Sequence, residues 1–398
     1  MARRALVIVE GGTNTLPYVQ AAQRLGLDPI ILSADPNRYN YLAAEVDEII
    51  QADTNNVDAL ISECSRLGEA YNIAGITSAT ETFYAIAGKL CQHFGLPGPN
   101  PVATERCCDK FTQRQLLAEA GVPIPVYRLA GNAKEVESSA ADIGLPVILK
   151  PAVGIGSMGV RLCRNVDELA EHTAHLLGGK HIWRCLPRIL VEEFAQGPYY
   201  WADLMGNEVI GIGTGEFGPS PHFVYREWIY PALLSDDEHE RITDISLSCL
   251  QALGLGWGPK SIELRWTKRG PVVIEVNPRL SGRPGPQMVK LASGTDLITE
   301  HLKLAIGDNL GLHRKQTAGT RFLVPDRDGI LNCIGGHSQA SAVPGVIEVR
   351  LNVEPETRIV RKGDFRDCIG YVMAASPNRA QTDQILNRAV GLINWSIT

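Results

Sequence analysis

Two short runs of β-formers, Ser261–Trp266 and Pro271–Val276, lie either side of the tip Lys268-Arg269-Gly270. Runs of this kind read as strands, and a glycine-bearing tip folds them into an antiparallel hairpin. That hairpin constrains the chain more than any other stretch, because it brings Glu263, Glu275 and Asn277 within reach of one another. Residues two apart on a strand share a face, so Glu275 and Asn277 point the same way. Two carboxylates and an amide oxygen are hard ligands of the kind that hold Mg²⁺ together with nucleotide phosphates. Arg279, two positions on, can meet an anion at the same centre. A single glutamate on a strand is better read as a solvated acid on an edge hairpin. It is the set that points to a site.

The chain has 398 residues, more than one core usually serves, so two or three domains are expected. A hydrophobic fraction of 44% and a charged fraction of 21% suit a globular protein. The net charge of -6 offers nucleic acid no general attraction. No basic patch interleaved with aromatics appears, so no nucleic-acid partner is expected. The apolar run after Arg3-Arg4 is closed by Glu10 and is too short for a signal peptide, so it reads as a buried strand. No apolar stretch reaches the roughly 18 residues of a membrane span, and no membrane partner is expected. The nine cysteines are scattered, with Cys107 and Cys108 adjacent and no CxxC. An odd count argues against a disulfide framework. Reduced thiols in a cytoplasmic setting are the simplest account.

The first hundred residues alternate strand and helix. Leu6–Val9, Pro29–Leu32 and Ile73–Thr77 read as strands, and Leu16–Leu25 has helical spacing. Such alternation implies an open, mostly parallel α/β sheet. Gly11-Gly12 follows the first strand without a full GxGxxG, so it reads as a structural turn before it reads as a nucleotide site. The Pro/Gly-rich stretch Gly95–Pro101 marks a first boundary. A helix carrying Asp109, Lys110 and Arg114 follows, broken by Gly121-Val122-Pro123. Beyond residue 305 the pattern becomes strand-rich and closes on a helix over Asn378–Leu392.

Lys150 ends a strand and precedes Ala152–Val160, a loop holding Gly154, Gly156 and Gly159 with Ser157 and Met158 between them. Glycines let backbone N–H groups approach phosphate oxygens, Ser157 adds a hydroxyl, and the lysine adds a point charge. No Gly-Lys-Ser/Thr closes the loop, so it is not a Walker A motif. A strand over Val160–Cys163 likewise contradicts a helix-opening GxGxxG. A flexible β-turn remains the alternative for the loop alone, and a solvated loop for Glu192-Glu193-Phe194 alone.

The order of these parts is informative. Lys110, Lys150 with its glycine loop, Val191-Glu192-Glu193-Phe194, Glu263 and then Glu275-x-Asn277-x-Arg279 resemble the ATP-grasp superfamily of carboxylate–amine ligases. The resemblance covers most of the chain, including Thr80-Glu81-Thr82 and Ala120–Pro125. The chain is most similar to L-amino-acid ligases, the dipeptide synthetases of bacilysin and dapdiamide type, and Pro344–Val372 resembles their small terminal domain. The resemblance implies an α/β fold: a Rossmann-like pre-ATP-grasp domain over 1–103, an ATP-grasp nucleotide-binding and catalytic domain over 104–308, and a small α+β domain over 309–398.

The resemblance also implies roles. Lys110 and Lys150 would bind ATP phosphates, and the loop with Gly154, Gly156, Ser157, Met158 and Gly159 would close over them. Glu192, Glu193 and Phe194 would hold the adenine edge. Glu263, Glu275 and Asn277 would bind Mg²⁺, with Mn²⁺ able to substitute. Arg279, with Lys150, would be catalytic, stabilising an acyl phosphate and the tetrahedral intermediate. Tyr225, Arg226, Trp228, Ser281 and Gly282 would face the substrate. The implied activity joins the carboxylate of an amino acid or acylated amino acid to an amine, releasing ADP and phosphate, in a homodimer. Two positions depart from the family pattern. Tyr199 stands where a glutamate usually holds the ribose, and Tyr225 stands near a glutamate that usually faces a substrate amino group. The acid substrate therefore either lacks a free α-amine or is acidic or acylated and read by Arg226. The competing expectations are an ATP-grasp enzyme of purine or biotin-dependent metabolism using formate or bicarbonate, and a nucleotide-binding protein without catalysis.

Overall fold

The computed structural model describes residues 3–42, 45–46, 48–178, 188–309, 311 and 317–398. Strands β1 (Arg3–Val9), β2 (Asp28–Ser33), β3 (Glu48–Gln51) and β4 (Tyr71–Thr77) form a parallel sheet in the order β3-β2-β1-β4. Ala5 to Val9 are 0% exposed, as a central parallel strand covered on both faces requires. Helices α1 (Thr15–Arg24), α2 (Val57–Gly68) and α3 (Glu81–Phe94) alternate with these strands. The turn after β1 is internally satisfied. The buried Glu10 carboxylate accepts from Ser33 Oγ at 3.0 Å, Ala34 N–H at 2.8 Å and Tyr39 O–H at 2.7 Å. The Tyr39 oxygen accepts in turn from the N–H groups of Gly11 and Gly12 at 3.0 and 3.3 Å. The amides a phosphate would need are thus already engaged, in keeping with a structural turn.

The helix expected around Lys110 is two helices, α4 (Pro101–Cys108) and α5 (Lys110–Glu119). Asp109 separates them as the N-cap of α5, its carboxylate accepting from Thr112 N–H at 2.8 Å. An N-cap residue leaves helical geometry, so the run cannot continue through it. Strand β5 (Tyr127–Ala130), helix α6 (Ala133–Ile143), strands β6 (Val147–Pro151) and β7 (Arg161–Cys163), helix α7 (Val166–Gly178) and strand β8 (Ile189–Glu193) follow. The four strands form an antiparallel sheet in the order β5-β8-β6-β7. The glycine loop is the β6–β7 connection.

A larger sheet carries the hairpin. Its first elements are β9 (Tyr199–Met205), β10 (Glu208–Phe217), β11 (Tyr225–Tyr230), α8 (Asp236–Leu253), β12 (Pro259–Thr267), β13 (Gly270–Asn277), α9 (Gly285–Ser293), α10 (Leu297–Ala305) and β14 (Thr317–Leu323). The C-terminal part adds β15 (Gly329–Gly335), α11 (His337–Ser341), β16 (Val346–Leu351), β17 (Arg358–Ile359), β18 (Gly370–Ser376), α12 (Arg379–Val390) and β19 (Asn394–Ile397). Eight strands stand in the order β13-β12-β9-β10-β11-β14-β18-β16, so one sheet runs across residues 308 and 309. The helix expected over Asn378–Leu392 is α12, and a last short strand, β19, follows it and pairs with β15. Helix α8 packs Ile242, Ile245 and Cys249 against Ile262, Leu264, Val273 and Val276 of the hairpin. Burying that face leaves the other free to build a site. Every described cysteine is free. No described helix is long and apolar enough to cross a membrane.

Candidate active site

The hairpin pairs Ser261 with Asn277, Ile262 with Val276 and Glu263 with Glu275. The register then slips between Glu263 and Leu264, so Leu264 faces Val273 and Ile274 is the extra residue. A bulge of this kind re-aims side chains locally. Here it keeps Val273 in the core under α8 while Ile274 and Glu275 both line a cavity of about 820 Å³. Glu263 lines the same cavity from β12. The floor thus presents the two glutamates that the sequence places within reach of each other, and the bulge sets them directly opposite.

Cations surround them. Lys110 Nζ lies 3.0 Å from Glu275 Oε1 and donates to the Gly154 carbonyl at 2.7 Å. Burial alone would lower its pKa, but Glu275, Glu81 and Glu263 outweigh burial and hold it above the usual lysine value. Arg279 is fixed at three points. Its Nε meets Glu81 Oε2 at 2.9 Å, Nη2 donates to Asn277 Oδ1 at 3.1 Å and Nη1 to the Leu280 carbonyl at 2.9 Å. Burial and then the Glu275 charge push Glu263 up to about 7. Glu275 goes the other way: burial raises it, but Lys110, Lys150 and Arg279 hold it below the usual carboxylate range. Two like charges this close split in this manner. Among the described residues no cluster of three or more His, Cys, Asp or Glu forms a closed metal cage. Two carboxylates with open positions instead fit a hard divalent cation that takes its remaining oxygens from phosphates.

At the other end of the cavity two cations share one carboxylate, leaving a net positive charge. Lys150 Nζ lies 2.6 Å from Glu192 Oε2, and Arg114 Nε lies 2.7 Å from Glu192 Oε1. All three side chains are at most 4% exposed. Burial lowers the Lys150 pKa despite Glu192. Arg114 also donates to the Ile274 carbonyl, tying α5 to the bulge. The glycine loop lies alongside. Gly156 has φ +60, and a Cβ there would collide with the Phe365 ring, so glycine is required on both counts.

The sequence-derived residues divide by position. Lys110, Lys150, Gly154, Gly156, Ser157, Met158, Glu192, Glu193, Phe194, Tyr199, Tyr225, Trp228, Glu263, Glu275, Arg279, Ser281 and Gly282 all line the one cavity. Gly159, Asn277 and Arg226 do not. Gly159 accepts from His172 Nε2 at 2.9 Å through its carbonyl. Asn277 is 2% exposed beneath Arg279. Arg226 donates to the Val324 carbonyl at 3.3 Å, because neighbours along a strand take opposite faces. Tyr199, expected beside the ribose, has its hydroxyl 2.9 Å from that of Tyr225, and its strand partner is Arg265. Glu193 is held by Arg269 at 2.8 and 2.9 Å.

Several participants escape sequence reading. Glu81 meets Arg279 across 198 positions. Arg114 sits four residues after Lys110 on α5, and that i,i+4 spacing was the available signal. Aromatic rings extend the cavity beyond Arg279: Phe217, Phe322 and Tyr371 join Tyr225 and Trp228. Arg283 and Arg350 also line the cavity.

Comparison with known proteins bears on the family and the fold. Residues 321–398 match the L-amino acid ligase C-terminal domain 2. Residues 109–313 match the ATP binding domain of the carbamoyl-phosphate synthase L chain, and 19–98 match the ATP-grasp N-terminal domain. A Sinorhizobium fredii protein, y4rH, is 58% identical over all of this chain and 84% of its own length. Human carnosine synthase 1 is 24% identical over 94% of the chain, which spans about half of that relative, 49%. The crystal structure of an L-amino acid ligase from Bacillus licheniformis superposes with a TM-score of 0.82 at 20% identity, covering 100% of both chains. That likeness establishes the fold, an ATP-grasp α/β architecture with an N-terminal domain.

Proposed function

This chain belongs to the ATP-grasp superfamily of carboxylate–amine ligases, and from that premise we propose that it joins the carboxylate of an amino acid or acylated amino acid to an amine. ATP-grasp enzymes use ATP and a divalent metal; here we assign Mg²⁺, with Mn²⁺ able to substitute. The observation that carries the reading is the opposed pair Glu263 and Glu275, flanked by Lys110 and Arg279 in one cavity with Lys150 and Glu192.

In this reading Glu263 and Glu275 hold the metal, and Asn277 acts from below by orienting Arg279. When bound, the metal withdraws charge from the phosphate oxygens. Lys110 and Lys150 screen the triphosphate. That screening lets one anion, a carboxylate oxygen, attack another, the γ-phosphorus. The bond to the bridging oxygen breaks, and ADP leaves. The amine nitrogen then attacks the acyl carbon, loses a proton, and expels phosphate. Arg279, already locked by Glu81 and Asn277, faces the charge that develops on the acyl oxygen without having to reorganise. The Gly154–Gly159 loop excludes water that would hydrolyse the anhydride.

Lys110, Lys150, Gly154, Gly156, Ser157, Met158, Gly159, Glu192, Glu193, Phe194 and Tyr199 are proposed for the nucleotide. Tyr225, Trp228, Ser281 and Gly282 are proposed for the substrates, and Arg226 is left out because it turns to the Val324 carbonyl. The division at residues 103 and 308, a homodimeric state and a cytoplasmic setting belong to the same proposal. An aromatic extension of the cavity beyond Arg279 favours an acid larger than formate or bicarbonate. The test is ADP formation with acid and amine added singly and together. A ligase forms stoichiometric amide only with both, and ¹⁸O from the acid's carboxylate appears in phosphate. Label retained outside phosphate, with AMP and pyrophosphate formed, would overturn the acyl-phosphate route.

A further inference from the structure

The cavity wall beyond Arg279 is a continuous aromatic surface laid across five neighbouring strands. Tyr199 on β9 meets Phe217 on β10 edge-on at 5.0 Å between ring centroids. Phe217 stacks on Tyr225 of β11 at 4.6 Å. Tyr225 meets Trp228 at 5.0 Å, Trp228 meets Phe322 of β14 at 5.2 Å, and Phe322 meets Tyr371 of β18 at 6.4 Å. The wall is built in by the backbone. A Cβ at Gly213 on β10 would overlap the indole of Trp201, which packs 5.3 Å behind Trp228. Glycine weakens a strand interior and commonly marks such close approach.

Carboxylates reach this wall at its two ends, where Glu263 hydrogen-bonds Tyr199 and Glu348 accepts from the Tyr371 hydroxyl at 3.0 Å. No carboxylate among the described cavity-lining residues comes from β10, β11, β14 or β18. Glu227 of β11 turns away to Arg321 at 2.8 Å and Arg379 at 3.5 Å. Arg279 stands at the near end of the wall, while Arg283 and Arg350 line the cavity near Tyr371. Aromatic faces can themselves hold a cation. Here Arg265 already lies over Phe217 at 4.8 Å and over Tyr199 at 5.6 Å. Along Trp228 and Phe322, between those ends and with Glu263 committed to the metal, a substrate ammonium would meet an apolar surface and lose its hydration without replacement.

We propose that the acid substrate is an aryl or similarly bulky apolar carboxylic acid whose α-position carries no ammonium group, as in a desamino or N-acylated aromatic amino acid. This deepens the ligase reading and rests on it for the fate of the carboxylate. The carboxylate lies at Arg279, and the apolar body lies along Tyr225, Trp228 and Phe322. Binding rather than turnover is the primary test, since it does not depend on that fate. Quenching of the intrinsic tryptophan signal in the intact chain is titrated with 3-phenylpropionate, phenylalanine, propionate and N-acetylalanine in the presence of Mg²⁺ and a non-hydrolysable ATP analogue. The expected result is that 3-phenylpropionate binds at least tenfold more tightly than phenylalanine and than propionate. Phenylalanine binding as tightly as 3-phenylpropionate overturns the proposal, as does N-acetylalanine binding as tightly. Tyr225→Glu should narrow or reverse the preference for 3-phenylpropionate over phenylalanine. ADP formation, with hydroxylamine as the amine, is read in parallel. Selective binding without ADP sinks the ligase reading and leaves the substrate class standing, whereas ADP formation favouring phenylalanine sinks the class and leaves the ligase.

Discussion

The two ends of the cavity use buried charge in opposite ways. At the Lys150 end, one carboxylate, Glu192, is clasped by two cations, Lys150 and Arg114, all nearly sealed from water. At the Arg279 end, two carboxylates, Glu263 and Glu275, face each other across paired strands, and one is driven up to about 7. In the first arrangement the carboxylate is fully paired without a ligand, and the excess positive charge faces the cavity as a cradle. The second carries repulsion that a bound cation relieves. The difference teaches that the same residue type, a buried glutamate in one cavity, serves the fold at one end and ligand capture at the other. What decides is whether the protein supplies an ion-pair partner for each carboxylate: Glu275 has Lys110 at 3.0 Å, whereas no ion pair reaches Glu263 among the described residues.

The largest effect should come from breaking the completed end. Glu192→Ala leaves both Lys150 and Arg114 buried without their partner. Removing one member of a buried ion pair costs about 3–5 kcal/mol, so denaturant unfolding should show a loss of that size. An unchanged unfolding midpoint would erase the contrast between the two ends. Glu275→Gln should act in the other direction. The fold survives, because relief of the opposed charge on Glu263 offsets the loss of the Lys110 pair, but ADP formation falls on the order of 10²–10³-fold, as when preorganised charge at a reacting centre is lost. Mg²⁺-dependent turnover equal to the parent's would remove Glu275 from the metal set.

A smaller effect sharpens the comparison at a third carboxylate. Asp203, on β9 behind the reacting end, accepts from Trp201 Nε1 at 2.9 Å. Burial raises its pKa from 3.8 to about 6. The native carboxyl therefore holds its proton where the unfolded one has lost it. Stability declines as pH rises from about 4 through about 6, by roughly 3 kcal/mol when complete. Asp203→Asn should remove that dependence, making the variant more stable than the parent near neutral pH and nearly equal to it near pH ~4. Parallel unfolding curves at the two pH values would show that a cation, not burial, governs this acid. The smallest effect is expected for Lys150→Ala, since Arg114 continues to satisfy Glu192. ATP affinity should drop about tenfold, about 1.4 kcal/mol, with little change in stability; calorimetry giving the parent's affinity would place the phosphates elsewhere.

Much of this was legible in the chain itself. The alternating strands and helices of the first hundred residues, the hairpin over β12 and β13, and the Lys150 loop all follow from local periodicity and turn residues, which need no partner from afar. That Glu263 and Glu275 come within reach of each other follows as well, because a short turn makes the two strands neighbours; their direct opposition needs the bulge. The sequence also carried the warning that Tyr199 and Tyr225 stand where acids are expected.

Other features depended on residues far apart. Glu81 and Arg279 meet across 198 positions, and nothing in either neighbourhood names the other. The bulge at Ile274 shifts one residue of alternation, a change that periodicity cannot distinguish from a regular strand. Arg226 was drawn to the substrate by its charge, but strand geometry turned it to Val324. The aromatic wall is assembled from β9, β10, β11, β14 and β18, which stand side by side in the sheet although the β12–β13 hairpin and several helices separate them along the chain. The chain alone determined which elements form and which chemistry they bear, because those depend on near neighbours. Only the tertiary structure decided which buried charges are satisfied, which are left opposed and what surface the substrate meets, because those depend on who packs against whom.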